Sequence, residues 1–226
     1  MSRIIIRTKA IIFDMDGVIT NTMPDHYRAW RTILARYGYH PTHLDIYKRE
    51  GQPGISSIKD LFAEKKITLS DKVSNKILLE KEELFKKIVK QRFISGSRRF
   101  LKNLYKRNFL LALVTGTSRH ELHTILPDHL YKLFSVIVTG NDVKMGKPHP
   151  EPFLKAIEKL KISSKDGVVI ENAPFGIQSA KSAGLRCLAL ETSLPKKYLN
   201  RADMIFHSIQ QLEHRVKFLN SIKHFS

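Results

Sequence analysis

Five near-continuous apolar runs limit what this chain can fold into. They are AIIFD (10–14), LLALVT (110–115), SVIVTG (135–140), GVVIEN (167–172) and RCLALE (186–191), with a shorter DMIF at 203–206. Runs rich in Val, Ile and Leu that do not alternate with polar residues belong to strands buried on both faces, as in a parallel sheet. Helical patterns separate most of them. Residues 98–107 place Phe100, Leu101, Leu104 and Tyr105 on one stripe, and residues 151–160 do the same with Phe153, Ala156, Ile157 and Leu160. Ser118 and Glu121 have capping-box spacing ahead of a helix at 119–126. Pro174 and Gly184 bracket another, the usual asymmetry of helix ends. Strand–helix alternation predicts an α/β fold, a doubly wound parallel sheet.

The alternation fails once. About 70 residues separate the first two runs, too many for an unstructured loop in a compact domain. They read as helices, the first carrying His26, Trp30, Ile33, Leu34 and Tyr37, the last carrying Val73, Ile77, Leu84, Phe85, Ile88 and Val89. The expected organisation is a core of residues 1–19 and 95–226 with a helical insert at 20–94. The insert would sit at the carboxyl end of the first strand, where ligands bind in open α/β sheets, and so serve as a cap. SGSRRF (95–100) reads as the return hinge, with Gly96 absorbing backbone rotation. The C-terminal QQLEHRVKFLNSIKHF places Leu212, Val216 and Leu219 on one stripe and predicts a packing helix.

With 226 residues, 42% of them hydrophobic, the chain has enough apolar content for a real core, and disorder is excluded as a default. No apolar run approaches the roughly 20 residues that span a bilayer. The N-terminal MSRIIIRTKAIIFDMDG reads as the first strand, because it lacks a small-residue cleavage site and its apolar run ends in charge. The single cysteine, Cys187, has no disulfide partner within the chain, which agrees with a reducing compartment. The expected location is the cytoplasm. The net charge is +18, and basic residues concentrate between Lys81 and Arg107. They are interleaved with apolar ones at helical spacing, which reads as solvated helix faces; an anion-attracting surface is the competing reading. No nucleic-acid recognition motif is visible, and no nucleic-acid or membrane partner is expected.

Four polar features fall at or just beyond strand ends, so all could converge on one sheet edge: Asp14 and Asp16; Thr115 with Gly116; Lys147; and Glu171 with Asn172. This set suits a phosphate ester. A carboxylate attacking phosphorus approaches a group of like charge, and a divalent metal lowers that repulsion; hard Mg2+ prefers oxygen ligands. Lysine neutralises further charge, while a hydroxyl and backbone N–H groups near a helix start hold phosphate oxygens. One carboxylate would form an acyl phosphate. The second would protonate the leaving oxygen and then activate water.

FDMDGVITNT, LVTGTS, GKPHPEPF and VVIENAPFGIQSAKSAG, in this order, resemble the four motifs of the haloacid dehalogenase superfamily, in its helical-cap phosphatase and phosphomutase branch. The resemblance covers roughly residues 8–206. It implies Asp14 as nucleophile, Asp16 as acid/base with its backbone carbonyl on Mg2+, Thr115, Gly116 and Lys147 as phosphate binders, and Glu171 with Asn172 supporting the metal. The pattern usually has a second acid where this chain has Asn172. An amide oxygen binds Mg2+ without adding charge, so weaker metal binding is expected, unless Asn172 is only a turn residue.

TNTMPDHYRAW also resembles β-phosphoglucomutases, which implies that His26 assists the acid/base aspartate; spacing alone would leave His26 a structural neighbour of Trp30. The arginine with which that family grips phosphate is missing, because Gly54 falls at its position in REGQPGISSI. Arg49 and Arg119 are the substitutes available, each equally readable as a surface charge. The expected activity is therefore Mg2+-dependent hydrolysis of a small phosphate monoester, of the sugar phosphate or phosphoglycolate type, through an aspartyl-phosphate. The alternatives are a phosphosugar mutase and, in a different class, an inactive scaffold acting as a basic binding protein.

Overall fold

The computed structural model describes residues 3–221. Eight strands run in chain order: β1 (Ile4–Thr8), β2 (Ala10–Phe13), β3 (Leu110–Val114), β4 (Val136–Val138), β5 (Gly167–Glu171), β6 (Arg186–Leu190), β7 (Met204–Phe206) and β8 (Val216–Asn220). Between β2 and β3 lie α1 (Met23–Ala35), α2 (His43–Tyr47), α3 (Gly54–Ala63), α4 (Asp71–Ile88) and α5 (Ser97–Lys106). The remaining helices are α6 (Arg119–Ile125), α7 (Asp128–Tyr131), α8 (Glu151–Leu160), α9 (Pro174–Ser182) and α10 (Ile209–Arg215).

Six strands form one parallel sheet in the order β4-β3-β2-β5-β6-β7. Each strand feeds alternate side chains to opposite faces. Ile11, Phe13, Leu111, Leu113 and Ile170 meet α5, α6 and α10 on one side, in a cluster with Phe100, Leu122 and Leu212. Ala10, Ile12, Ala112, Val114 and Val169 meet α8 and α9 on the other, with Phe153, Ala156 and Ala180. Burial on both faces explains why these runs carry no polar alternation. The connections leave β2 first toward β3 and β4 and later, through α8, toward β5. The strand order therefore reverses at β2, and this switch point opens a crevice at the strands' carboxyl ends.

Helices α1 to α4 have an apolar cluster of their own, built on Trp30, Ile33, Leu34, Ile58, Phe62 and Ile77. The two segments joining them to the sheet run side by side: Ile94 N–H donates to the Ile19 carbonyl (3.0 Å) and Asn21 N–H to the Arg92 carbonyl (2.8 Å). Gly96, with φ +82°, precedes α5. No helix of the described residues is long and apolar enough to cross a membrane.

Three expectations are corrected. The N-terminal run is two strands, not one: Lys9, bonded to Asp166 through both its N–H and its ammonium, separates β1 from β2. The C-terminal helix stops at Arg215, and Val216–Asn220 is a strand parallel to β1, pairing Ile6 with Phe218. Leu212, Val216 and Leu219 satisfy a helical spacing, but Val216 and Phe218 alternate with exposed Lys217, and backbone pairing with β1 wins. Residues 222–225 of that expected helix lie outside the described residues. On α5, Phe100, Leu101 and Leu104 are buried, whereas Tyr105 is exposed at the stripe's edge.

Strand alternation at β8 has a measurable consequence. Phe218→Ala should cost about 3 kcal/mol or more of unfolding free energy in urea titrations, as expected for a truncated core phenylalanine. Lys217→Ala should change it by less than about 0.5 kcal/mol. Equal effects would contradict the β1–β8 pairing.

Candidate active site

The end of β2 places the first carboxylate. Asp14 N–H donates to the Ile170 carbonyl (3.0 Å), the last rung between β2 and β5, so the side chain emerges at the switch point, almost fully buried. Lys147 reaches it from the loop before α8. Its ammonium, with no exposed side-chain surface, donates to Asp14 Oδ1 (2.6 Å), Glu171 Oε1 (2.8 Å) and the Val114 carbonyl (3.2 Å). These two carboxylates hold the lysine strongly protonated, more than offsetting the burial that opposes its charge. Glu171 Oε2 accepts the N–H groups of Asn172 (2.6 Å) and Ala173 (2.8 Å), where α9 begins.

Asp16 sits one turn further on. The Met15 carbonyl collects the N–H groups of Val18, Ile19 and Thr20 in a tight loop, and Gly17 takes φ +86°. A Cβ on Gly17 would lie 2.2 Å from Asn172 Nδ2, so glycine is required there by both conformation and space. Asp16 accepts hydrogen bonds from the hydroxyls of Thr22 and Thr117, the latter at 3.0 Å. His26 Nε2 is 3.5 Å from Asp16 Oδ1, and its ring stacks on Phe85 with centroids 3.9 Å apart.

The electrostatics separate the two aspartates. Burial raises Asp14 well above the usual carboxylate range, and the negative neighbours Glu171 and Asp16 add to this against the pull of Lys147. Burial also pushes Asp16 up, but hydrogen bonds and charge from His26, with Thr22 and Thr117, hold it below its ordinary value.

Every residue expected at the site comes to these strand ends. Thr115 uses its N–H on the Val138 carbonyl, while its hydroxyl accepts from Thr117 N–H (3.1 Å). Gly116 lines a cavity of about 320 Å³ between the sheet edge and helices α1 to α4. Arg49 is buried, not a surface charge; its guanidinium is engaged by Glu64 and the Asp45 carbonyl. Arg119 pairs with Asp142 (2.7 Å), half-exposed.

Four residues at the site were not anticipated: Thr22, Thr117, Glu50 and Lys81. Glu50 is 7% exposed and accepts from Asn172 Nδ2 (2.9 Å). Burial raises its carboxyl well above the usual range, and Asp14, Glu171 and Asp16 raise it further. Lys81 is only 5% exposed, lies over the rings of Trp30 and Phe85, and has Glu121 at 3.9 Å. Its signal was in the sequence: it falls midway between Ile77 and Phe85 on the buried stripe of α4.

Asp14 and Glu171 thus share one lysine, with the carboxyls of Asp16 and Glu50 close enough to add to the negative field. Among the buried side-chain oxygens without a hydrogen-bond partner are Asp14 Oδ2, Glu50 Oε1 and Asn172 Oδ1. Orphaned buried oxygens beside surplus negative charge fit a hard divalent cation. Among the described residues, no three His, Cys, Asp or Glu side chains form a ready-made ligand trio; the oxygens available here include an amide. The residues present fit Mg2+.

Strand order, paired aspartates and buried lysine agree with the sequence match. Residues 11–190 fit the family model described as haloacid dehalogenase-like hydrolase. The chain belongs to the haloacid dehalogenase-like hydrolases. Within this family, it is 34% identical over 187 residues to a phosphorylated carbohydrates phosphatase of Thermotoga maritima, covering 78% of this chain and 82% of that one. It is 31% identical over 209 residues to the mitochondrial (DL)-glycerol-3-phosphatase 1 of Arabidopsis thaliana, covering 88% of this chain and 70% of that one. Its fold is similar to a solved structure from Bacteroides vulgatus, provisionally named a beta-phosphoglucomutase, with a TM-score of 0.83, 32% identity and coverage of 92% and 87%.

The helical insert meets the sheet edge closely. A Cβ on Gly51 (φ +77°) would lie 2.5 Å from Lys147 Cδ, and one on Gly116 would lie 2.7 Å from the Gly51 carbonyl oxygen. Gly51→Ala should therefore displace the insert and lower kcat/KM for a phosphate ester by roughly 10²-fold, with far-UV circular dichroism unchanged. Wild-type kinetics would show that this contact is not part of the productive state.

Proposed function

We propose that this chain is a Mg2+-dependent phosphatase acting on a small phosphate monoester of the sugar or polyol type, through an aspartyl-phosphate on Asp14. The observation that carries the reading is the buried Lys147 bound to both Asp14 and Glu171, beside orphaned oxygens, with Asp16 held separately by His26, Thr22 and Thr117. Asp14 Oδ2 has no hydrogen bond to surrender before it attacks phosphorus. Lys147 neutralises charge on the transferring group, and the Thr115 hydroxyl is free to donate to a phosphate oxygen. Asp16, entering the step protonated when substrate is bound, delivers that proton to the leaving oxygen as its bond to phosphorus breaks. His26, 3.5 Å away, is placed to share this proton. The ionised Asp16 then takes a proton from water, whose oxygen attacks phosphorus and releases inorganic phosphate and Asp14. Mg2+, held by Asp14, the Asp16 carbonyl and Asn172 with Glu171 in support, would neutralise phosphate charge throughout.

The cavity argues for a small, hydroxyl-rich leaving group. Its volume of about 320 Å³ lies at the lower end for ligand sites. Glu50, Glu82 and Glu121 line it together with Arg49 and Lys81. Arg49 is already engaged by Glu64, and Lys81 faces Glu121. A second phosphate would have to compete with Glu64 for Arg49 and with Glu121 for Lys81, which favours hydrolysis. The mutase reading keeps one specific support, His26 beside Asp16.

A panel of hexose, pentose, hexitol and glycerol phosphates, with phosphoglycolate and nucleoside monophosphates, tests the reading by phosphate release in Mg2+. Release is expected from the sugar and polyol esters. It should fall at least about 10³-fold in Asp14→Asn and roughly 10²- to 10⁴-fold in Asp16→Asn. Conversion of β-glucose 1-phosphate to glucose 6-phosphate with little phosphate release would assign the mutase instead. Turnover that survives Asp14→Asn would sink both.

A further inference from the structure

The Asn172 amide is enclosed on three sides. Its Nδ2 donates to Glu50 Oε2 (2.9 Å) and to Ser193 Oγ (2.7 Å), and Gly17 packs directly against it. Both N–H bonds of the amide are thereby spent, which turns Oδ1, without a partner, the other way. Ser193 belongs to the loop after β6, but Glu50 comes from the segment between α2 and α3, on the far side of the cavity. An aspartate at position 172 would face the Glu50 carboxylate at the distance of a hydrogen bond with no hydrogen to share, and two carboxylates at that range repel. An amide there turns the same contact into attraction.

We propose that Glu50 is a positioning residue for the cation site. It orients the Asn172 amide so that Oδ1 faces the cation and, ionised when a cation is bound, it carries on the helical insert the negative charge that Asn172 lacks. The full charge of the site is assembled only when the insert lies on the sheet edge, so cation affinity depends on closure. Outer-shell groups that orient a metal ligand are worth about ten- to a hundredfold in metal affinity. The inference rests on the proposed phosphatase reading only for the choice of Mg2+; Glu50 and Asn172 meet whatever the substrate is.

Isothermal titration calorimetry of Mg2+ into the full chain, without substrate, tests it independently of turnover. Glu50→Gln should bind Mg2+ about tenfold or more weakly than wild type at an unchanged melting temperature. The exchanged variant E50Q/N172D, in which an amide on the insert donates to a carboxylate at the sheet edge, should bind at least as tightly as wild type. If E50Q alone does not fold, the exchanged variant carries the test. E50Q binding within about twofold of wild type, or an exchanged variant weaker than wild type, would overturn the proposal. Failure of the phosphatase reading would appear separately, as absent phosphate release with these affinities intact.

Discussion

Lys147 is buried without exposed side-chain surface between Asp14 and Glu171, and much of the structure serves that arrangement. Charges leave water at a cost of several kcal/mol each, and losing one partner of a buried pair costs about 3–5 kcal/mol more. Asp14, Glu171 and the Val114 carbonyl come from the ends of β2, β5 and β3, which are adjacent only because the strand order reverses at β2. The lysine arrives from the loop leading into α8, the helix that covers one sheet face. Even so, the balance is incomplete: with Asp16 and Glu50 added, negative charge exceeds positive, and oxygens stay unpartnered. A site poised this way fits a cation and a phosphate.

The helical insert completes the electrostatics as well as the shape. It brings His26 and Thr22 to Asp16, Glu50 to Asn172, and Gly51 against Lys147 and Gly116. Its own apolar core around Trp30 and Ile77 lets it hold together, while Ala29 and Phe85 join the sheet's apolar cluster and polar side chains meet the site. Paired connectors at Ile19–Asn21 and Arg92–Ile94 tether it at a single edge. Such an element can admit substrate and then exclude water. The placement of Glu50 makes closure a matter of charge too.

The sheet was legible because β2, β3, β5 and β6 are buried on both faces and carry continuous apolar runs. The aspartate pair, the lysine and Glu171-Asn172 were legible because they fall just past those runs. Where period-2 and helical spacings coincided, as at Leu212, Val216 and Leu219, local pattern could not choose, and pairing with β1 did. The lysine-rich stretch read as solvated faces, which holds for Arg98, Arg99 and Lys102 on α5 but fails at Lys81, whose position on the Ile77–Phe85 stripe outweighs its residue type. Glu50 was invisible because its significance depends on a contact 122 positions away. The relative acidity of Asp14 and Asp16 depends on burial and on which donors reach each carboxylate, and neither can be read from the spacing of two aspartates.

Asp14 as the phosphoryl acceptor is the central claim. Replacing Asp16 by Asn should slow the water step, so that p-nitrophenyl phosphate, whose leaving group needs no proton, leaves its phosphoryl group on the protein when added with Mg2+. Rapid acid quench followed by peptide mass spectrometry should find one phosphoryl group, on Asp14, in the peptide containing FDM. A protein that turns over substrate with no label on Asp14, or with label on another residue, would contradict the account.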